Sequence, residues 1–416
     1  MPQASILRNL ALDVVGAVGV GITGALVSVL LPTIARRGGV DPIGLAALTA
    51  LPFVANLLSA YAGRVGPRSS LQMALVRVAG AGSLLLLVAW LLPPGMLAVV
   101  LVFMLSLSFS NPFQLRLWGA LYPSRLLGRV LAVLGMSRAA AGAFAALGIG
   151  IAADAFGVPS AIAATGIIGV VTAVAYAGQR ARSGGRPPGY SASESVRALL
   201  APRGLRQALI GQLFFGGGLI AAAPLYALVH VDRLHLSLAE VGGIGIAISA
   251  ATTVSYPFWG MATDRLGPAS TLRIGSAFGV LSLAGYGLAP TLVWLLPAAV
   301  ALGVANASID VGLNAYVSGE TTLANRAPAQ AGWNAVTGAR GIAASFVMSA
   351  LVSLGVASVA TALLLCAAAA AVGAFVFFRL EAPALRGADL AAVEGATVEA
   401  ALSDVVPNET VEAIRA

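Results

Sequence analysis

The chain contains no lysine, so each of its 24 basic residues is an arginine, and it has only one cysteine and two histidines. Charged residues make up 10% of the total, against about 25% in a soluble globular domain. With 59% hydrophobic residues and a mean hydropathy of +0.92, this scarcity excludes a soluble domain and requires lipid. A lone cysteine, Cys366, builds neither a disulfide framework nor a cysteine-based metal cluster, and its run of leucines and alanines points to packing. The sequence has no Walker-type phosphate loop, no His-Glu-x-x-His and no Gly-x-Ser-x-Gly, so it offers no basis for an ATP-driven pump or an intramembrane metalloprotease. No catalytic cluster stands at either membrane face. The expectation is a protein that is not an enzyme and needs no cofactor or metal. The all-arginine usage reads, with the alanine excess, as genome composition bias. The arginines do not gather on one amphipathic face or beside an aromatic platform, so a pI near 10.3 does not imply a nucleic-acid partner.

What the sequence has is apolar runs of spanning length, about 20 residues each. They lie at 10–35, 42–63, 71–92, 95–120, 130–153, 158–178, 207–230, 238–262, 270–290, 292–318, 330–353 and 356–379. The expected fold class is therefore an all-α membrane protein with twelve transmembrane helices. Met1 to Arg8 run into the first apolar segment without a small-residue cleavage site, which predicts a retained first helix. Between the sixth and seventh runs, 179–206 holds Arg180, Arg182, Arg186, Arg197, Arg203 and Arg206 with a Ser-Gly-Gly and a Pro-Pro-Gly. It reads as a basic flexible linker. The expected organisation is an N-terminal half (1–178), this linker (179–206), a C-terminal half (207–379) and a tail (380–416). The tail carries Arg386 and Arg415 against seven acids, which leaves a net +13 on the rest of the chain.

Arginine placement orients the chain. With a cytoplasmic N-terminus, the inner segments carry Arg8, Arg64, Arg68, Arg125, Arg129, the linker cluster, Arg265, Arg326, Arg379 and Arg386, whereas the outer ones carry only Arg36, Arg37 and Arg233. The positive-inside rule then puts both termini in the cytoplasm. The connections at 93–94, 291 and 354–355 are too short to form an outer binding module.

An internal repeat is visible. Gly63-Arg64-Val65-Gly66-Pro67 recurs as Asp264-Arg265-Leu266-Gly267-Pro268 at an offset of 201 residues, and nearly the same offset aligns Arg138 with Arg340. This suggests a six-plus-six duplication. The second copy, Gly260-Met-Ala-Thr-Asp264-Arg265-Leu-Gly267, and the segment Tyr122-Pro123-Ser-Arg125 with Gly128-Arg129 resemble signatures of the major facilitator superfamily. The resemblance implies two pseudo-symmetric six-helix bundles. It also implies a cytoplasmic latch in which Gly260, Asp264, Arg265 and Gly267, with Arg64 and Gly66 of the first copy, hold the halves together. The first copy has Ser59 and Gly63 where the second has Gly260 and Asp264, so its acidic member is missing. A tight solvated turn is the plainer reading of both motifs.

A charge at membrane depth costs about 3 kcal/mol or more and implies a function or a partner. Asn306, Asp310 and Asn314 recur at i, i+4 and i+8 and form one polar stripe, which serves either as an interhelical seam or as a cavity wall. Asp310 is the candidate for proton exchange. The superfamily resemblance implies that the first, fourth, seventh and tenth spans line the cavity. This adds Asn111 and Gln114 beside a kink at Pro112, Gln212, Tyr226 and Asp13 as candidates. For Asp13, the helix dipole alone is a sufficient explanation. His230, next to Asp232 and Arg233, reads as a solvated loop histidine. Arg138 and Arg340 either bind carbonyls at the rim or, for Arg340, pair with Asp310 across the tenth and eleventh spans. Gly16, Gly19, Gly21 and Gly24 in the first span and Gly142, Gly148 and Gly150 in the fifth permit close helix approach.

The expected function is a secondary transporter that moves a small organic solute by alternating access, with proton coupling as the energy source. Export is favoured over uptake because the cavity is expected to carry little charge. The expected partners are a small-molecule solute, protons or another coupling ion, and the lipid bilayer. The chain is expected to be a monomer in the plasma (bacterial inner) membrane. The alternative is a non-transporting sensor or assembly partner acting through the acidic tail.

Overall fold

The computed structural model describes residues 3–62, 80–87, 98–104, 106, 121–122, 124–179 and 191–381. Helix α1 comprises Gln3–Ala25, a π-helical segment Leu26–Leu30 and Leu31–Arg37. Pro42–Ala62 is α2, Ser124–Phe156 is α3 and Val158–Ala177 is α4. The short α5, Ala192–Leu200, precedes α6, which comprises Arg203–Leu228 with a π-helical end Val229–Arg233. Then come α7 (Leu238–Leu266), α8 (Pro268–Leu288), α9 (Leu292–Glu320), α10 (Leu323–Ser353) and α11 (Val359–Phe378). Residues 80–87 and 98–104 are also helical. Eight of the described helices are long and apolar enough to cross a membrane, so this is an integral, multi-pass membrane protein.

The antiparallel course gives the bundle two ends. Gln3, Gln179, Arg203 and Glu381 mark the terminus end, and the connections 38–41, 157, 234–237, 289–291 and 354–358 mark the loop end. Helices before residue 180 form the first half, and those after residue 191 the second. Phe144, Phe258, Val293, Trp294, Phe375 and Phe378 are exposed on the outside of the bundle, as a surface facing hydrocarbon requires.

Within the second half, hydrogen bonds knit the helices. Ser308 Oγ donates to Thr271 O (2.9 Å) between α9 and α8, and Trp259 Nε1 donates to Val304 O (3.0 Å) between α7 and α9. Inside a bilayer such bonds contribute about 0.6–2 kcal/mol each. Cys366 is fully buried.

Two glycines are dictated by geometry. Gly267 has φ +87° and serves both as the C-cap of α7 and as the N-cap of α8, so the chain reverses on one residue that an L side chain would strain. At Gly242 a Cβ would lie 2.8 Å from Leu147 Cα, so α7 and α3 cross there with their backbones in contact.

The segment read as a flexible linker is partly ordered. Ser191 and Glu194 form a capping box that starts α5, and the Ser191 N–H and hydroxyl hold the Glu194 carboxyl below its ordinary pKa. One face of α5, with Ser195 and Leu199 buried, packs against Gly332 of α10.

Candidate functional site

Thr252, Tyr256 and Trp259 follow one another at i, i+4 and i+7 on α7 and face α9. Thr252 Oγ1 donates to Gly303 O (3.1 Å) and Trp259 Nε1 to Val304 O, and between them Tyr256 donates its hydroxyl to Asp310 Oδ2 at 2.8 Å. The two flanking bonds fix the face on which the tyrosine meets the carboxylate. Both residues line a cavity of about 600 Å³. Its wall draws on both halves: Gly21, Gly24 and Ser28 of α1, Gly135, Arg138 and Gly142 of α3, Gln212 and Phe215 of α6, Ser249 of α7 and Asn306 of α9.

Arg138 and Arg340, equivalent in the repeat, have different surroundings. Arg138 is exposed on the cavity wall and acts electrostatically on Asp310 and Tyr256 from the opposite half. Arg340 is 9% exposed and donates Nη1 to Gln212 O. A Cβ on Gly216 would lie 2.9 Å from its Nη atoms. Of the two readings of Arg340, carbonyl binding describes it and pairing with Asp310 does not: the α6 backbone takes the Arg340 guanidinium, and the cation that acts on Asp310 is Arg138.

The other candidates divide by depth. Asn306, Asp310 and Asn314 are all exposed on one face of α9, but only the first two line the cavity, Asn314 lying a turn nearer the terminus end. Gln212 lines the cavity at 7% exposure, with its buried Oε1 lacking a partner among the described residues. Tyr226 does not reach the cavity; it stacks on Tyr286 with ring centroids 4.2 Å apart. Asp13 is 1% exposed and accepts from Tyr122 Oη and from Gln179 Nε2 (2.6 Å), tying α1 to the end of α4. It belongs to a seam of the first half and does not line the cavity. Asn111 and Gln114 lie outside the described residues, as do Arg64 and Gly66 of the latch.

At the terminus end, Asp264 and Arg265 are exposed and make no hydrogen bond or ion pair among the described residues, and Gly260 has no neighbour within 4 Å of where a Cβ would stand. The loop end differs. Arg36 Nε donates to both carboxylate oxygens of Asp232 (3.1 and 3.0 Å), and its Nη2 lies 2.9 Å from Oδ2. Arg37 donates to Leu236 O and stands 3.7 Å from Asp154. Asp154 in turn accepts from the backbone N–H groups of Leu238 (3.4 Å) and Ala239 (2.8 Å), capping α7 from the other half. Thr33 Oγ1 meets His230 Nδ1 at 3.3 Å. The histidine expected in a solvated loop is instead 5% exposed, because the helix continues as a π turn through Arg233.

Sequence reasoning passed over this set and Tyr256. Its available signals were the pair Arg36-Arg37, nearly the sole outer cations, and the 252/256/259 spacing in an apolar helix. Along α3 and α7 the halves touch from Leu238 to Gly245, and at Ile248 the cavity begins. Contacts between the halves thus lie between the cavity and the loop end among the described residues.

Comparison with known proteins follows the same lines. The profile of the Major Facilitator Superfamily matches residues 208–410. An uncharacterized transporter of Sinorhizobium fredii, y4wD, is 30% identical over 88 residues, 21% of this chain and 23% of that protein. A probable transporter of Neurospora crassa, mch1, is 31% identical over 140 residues, 34% of this chain and 22% of that protein. The matched stretches thus span less than a quarter of either curated relative. Among solved structures, an auto-inhibited peptide transporter of the POT family aligns with a TM-score of 0.70 at 12% identity, covering 90% of this chain and 96% of that one. The nucleoside transporter NupG aligns with a TM-score of 0.67 at 15% identity, covering 90% and 98%. The fold is theirs: all-α, with twelve membrane helices in two pseudo-symmetric bundles of six. The match of residues 208–410 to the superfamily's profile and the fold shared over nine-tenths of the chain bear out the resemblance to the major facilitator superfamily.

Proposed function

We propose that the chain is a secondary transporter that carries a small organic solute across the membrane by alternating access, its halves 1–178 and 207–379 rocking about the cavity. The observation that supports this best is the cavity itself. It lies at mid-depth between the halves, with pairs that cross from half to half at one end. With both termini in the cytoplasm, this is an inward-facing form in the plasma (bacterial inner) membrane, acting as a monomer without catalytic chemistry. Asp264 and Arg265 then form a latch that engages only when the cytoplasmic end closes.

Asp310 is the proton site on this reading. It is a carboxylate at membrane depth, reachable from the cavity, with a tyrosine hydroxyl on one oxygen and an arginine in range. Proton coupling favours export, the protons entering as the solute leaves. The alternative reading, a sensor acting through the acidic tail, rests on residues 382–416, which lie outside the described residues.

Purified protein in proteoliposomes tests the proposal. An imposed pH gradient should drive solute flux, and Asp310→Asn should abolish the gradient dependence. Flux that ignores the gradient and is the same in Asp310→Asn removes the proton from the mechanism.

A further inference from the structure

Among the described residues the cavity wall carries one cation and one anion, and they come from different halves. Arg138 and Asp310 both line it and act on each other through space, yet no ion pair joins them. Each is incompletely matched. Asp310 accepts one hydrogen bond, from Tyr256, and Arg138 makes none among the described residues. A guanidinium offers five N–H donors and a carboxylate about four acceptor positions, so most of this capacity is unused among the described residues.

A third group points the same way. Gln212 lines the cavity at 7% exposure, and its buried Oε1 has no hydrogen-bond partner among the described residues. Asn306 adds a second amide. An ammonium carries three donors and no acceptor, so it can use the Asp310 carboxylate together with amide oxygens. A carboxylate matches the planar fork of Arg138 with two parallel hydrogen bonds.

We propose that the solute is a zwitterion, a small aminocarboxylate whose carboxylate rests on Arg138 and whose ammonium rests on Asp310 with the amide oxygens of Gln212 and Asn306. Such a solute completes both charges and adds no net charge to a site at membrane depth, where an unpaired charge is costly. A simple organic anion leaves Asp310 unmatched, and a simple cation leaves Arg138 so. The apolar part of the wall, Val20, Phe215, Leu219 and Ile248, accommodates an aliphatic carbon chain, and 600 Å³ falls within the usual range for small-molecule sites. The same carboxylate then holds a proton and an ammonium in turn, which makes exchange of one for the other the simplest coupling. This inference rests on the transport reading above only for the identity of the cargo; the binding chemistry stands by itself.

The test uses the full-length purified protein and equilibrium binding by calorimetry, with the series glycine, β-alanine, 4-aminobutanoate and 6-aminohexanoate set against butanoate and butylamine. At least one aminocarboxylate should bind ten times or more tightly than both singly charged compounds. Arg138→Gln should lose that binding by tenfold or more, and Arg138→Lys should keep part of it, since the charge remains while the fork is lost. Gln212→Leu should weaken the aminocarboxylate and leave butanoate unchanged. The wild-type comparison needs no variant, so folding of the variants does not decide the matter. No binding by any member of the series overturns the proposal, as does butanoate or butylamine binding equally well, or monodisperse Arg138→Gln binding like the wild type. Counterflow in proteoliposomes separates the two readings. Binding without counterflow sinks transport and leaves the zwitterion site standing, whereas counterflow of a singly charged compound alone leaves transport standing and sinks the site.

Discussion

At the loop end, Arg36, Arg37, Asp154 and Asp232 exchange hydrogen bonds between the halves; at the terminus end, Asp264 and Arg265 sit exposed with no such exchange among the described residues. Both ends use the same chemistry, an acid and an arginine near a helix terminus. The difference is geometric. From Leu238 to Gly242, α7 runs against α3 with backbone touching backbone, whereas past Ile248 the cavity separates them and nothing among the described residues lies within 4 Å of where a Cβ on Gly260 would stand. Rigid helices that meet at one end and part at the other behave as levers, so ion pairing and backbone crossing at the loop end report one state of the molecule. On the transport reading, the other state exchanges the roles of the ends.

The crossing should matter more than the charges. A side chain at Gly242 has no room, since even a Cβ would approach Leu147 Cα to 2.8 Å. Overpacking of this kind costs about 1–3 kcal/mol, enough to change a two-state ratio by roughly five- to a hundredfold at about 1.4 kcal/mol per decade. Gly242→Leu should therefore push the loop end open. Spin labels at positions 38 and 235, in a Cys366→Ser background, should move apart by several ångströms on average. An unchanged distance would show that the crossing does not hold the end closed.

Next in size is the Arg36–Asp232 pair. Its geometry is good, but the side chains are 26% and 40% exposed, and such pairs contribute about 1 kcal/mol at most. Arg36→Gln should shift the label-distance populations by up to about fivefold, less in high salt because exposed charges are screened. The reversed pair, Arg36→Asp with Asp232→Arg, should restore the closed distance. Asp154→Asn should do less, about 0.3–1 kcal/mol. It removes a negative charge from the N-terminus of α7 while an amide oxygen still accepts one of the two N–H groups. A loss larger than that of Arg36→Gln would mean that the cap, and not the ion pair, closes the loop end.

Much of this architecture is legible in the sequence, because spans in lipid must be long apolar runs. The stripe Asn306–Asp310 is legible for the same reason, as polar residues at helical spacing in an apolar segment stand out. The fates of Arg138 and Arg340 are not. They share a register in the repeat, and only the neighbouring helix separates them: Gly216 leaves room for the Arg340 guanidinium beside the Gln212 carbonyl, while Arg138 faces the cavity. The low-charge cavity expected from sequence therefore contains a cation. His230 misleads for a related reason. Asp232 and Arg233 look like a loop, but a π turn carries the helix through them and buries the histidine against Thr33. Asp13 was readable as a helix-end carboxylate, and Gln179 from the far end of α4 supplies the partner that no local pattern reveals.

The smallest effect should come from Asp264, and its smallness is what makes it informative. In this form the carboxylate is exposed and unpaired among the described residues, so Asp264→Asn should leave thermal stability within about 0.5 kcal/mol of wild type, as for other exposed positions away from networks. The loop-end label distance should not move either. If Asp264 is the latch of the opposite state, the variant should nonetheless slow solute counterflow, because the carboxylate's partner is met only when the terminus end closes. Unchanged counterflow would reduce the motif to the tight turn that Gly267 already explains, and the two ends would then differ in kind as well as in state. A clear loss of stability would mean instead that Asp264 is already engaged here, and the comparison from which the prediction starts would fail.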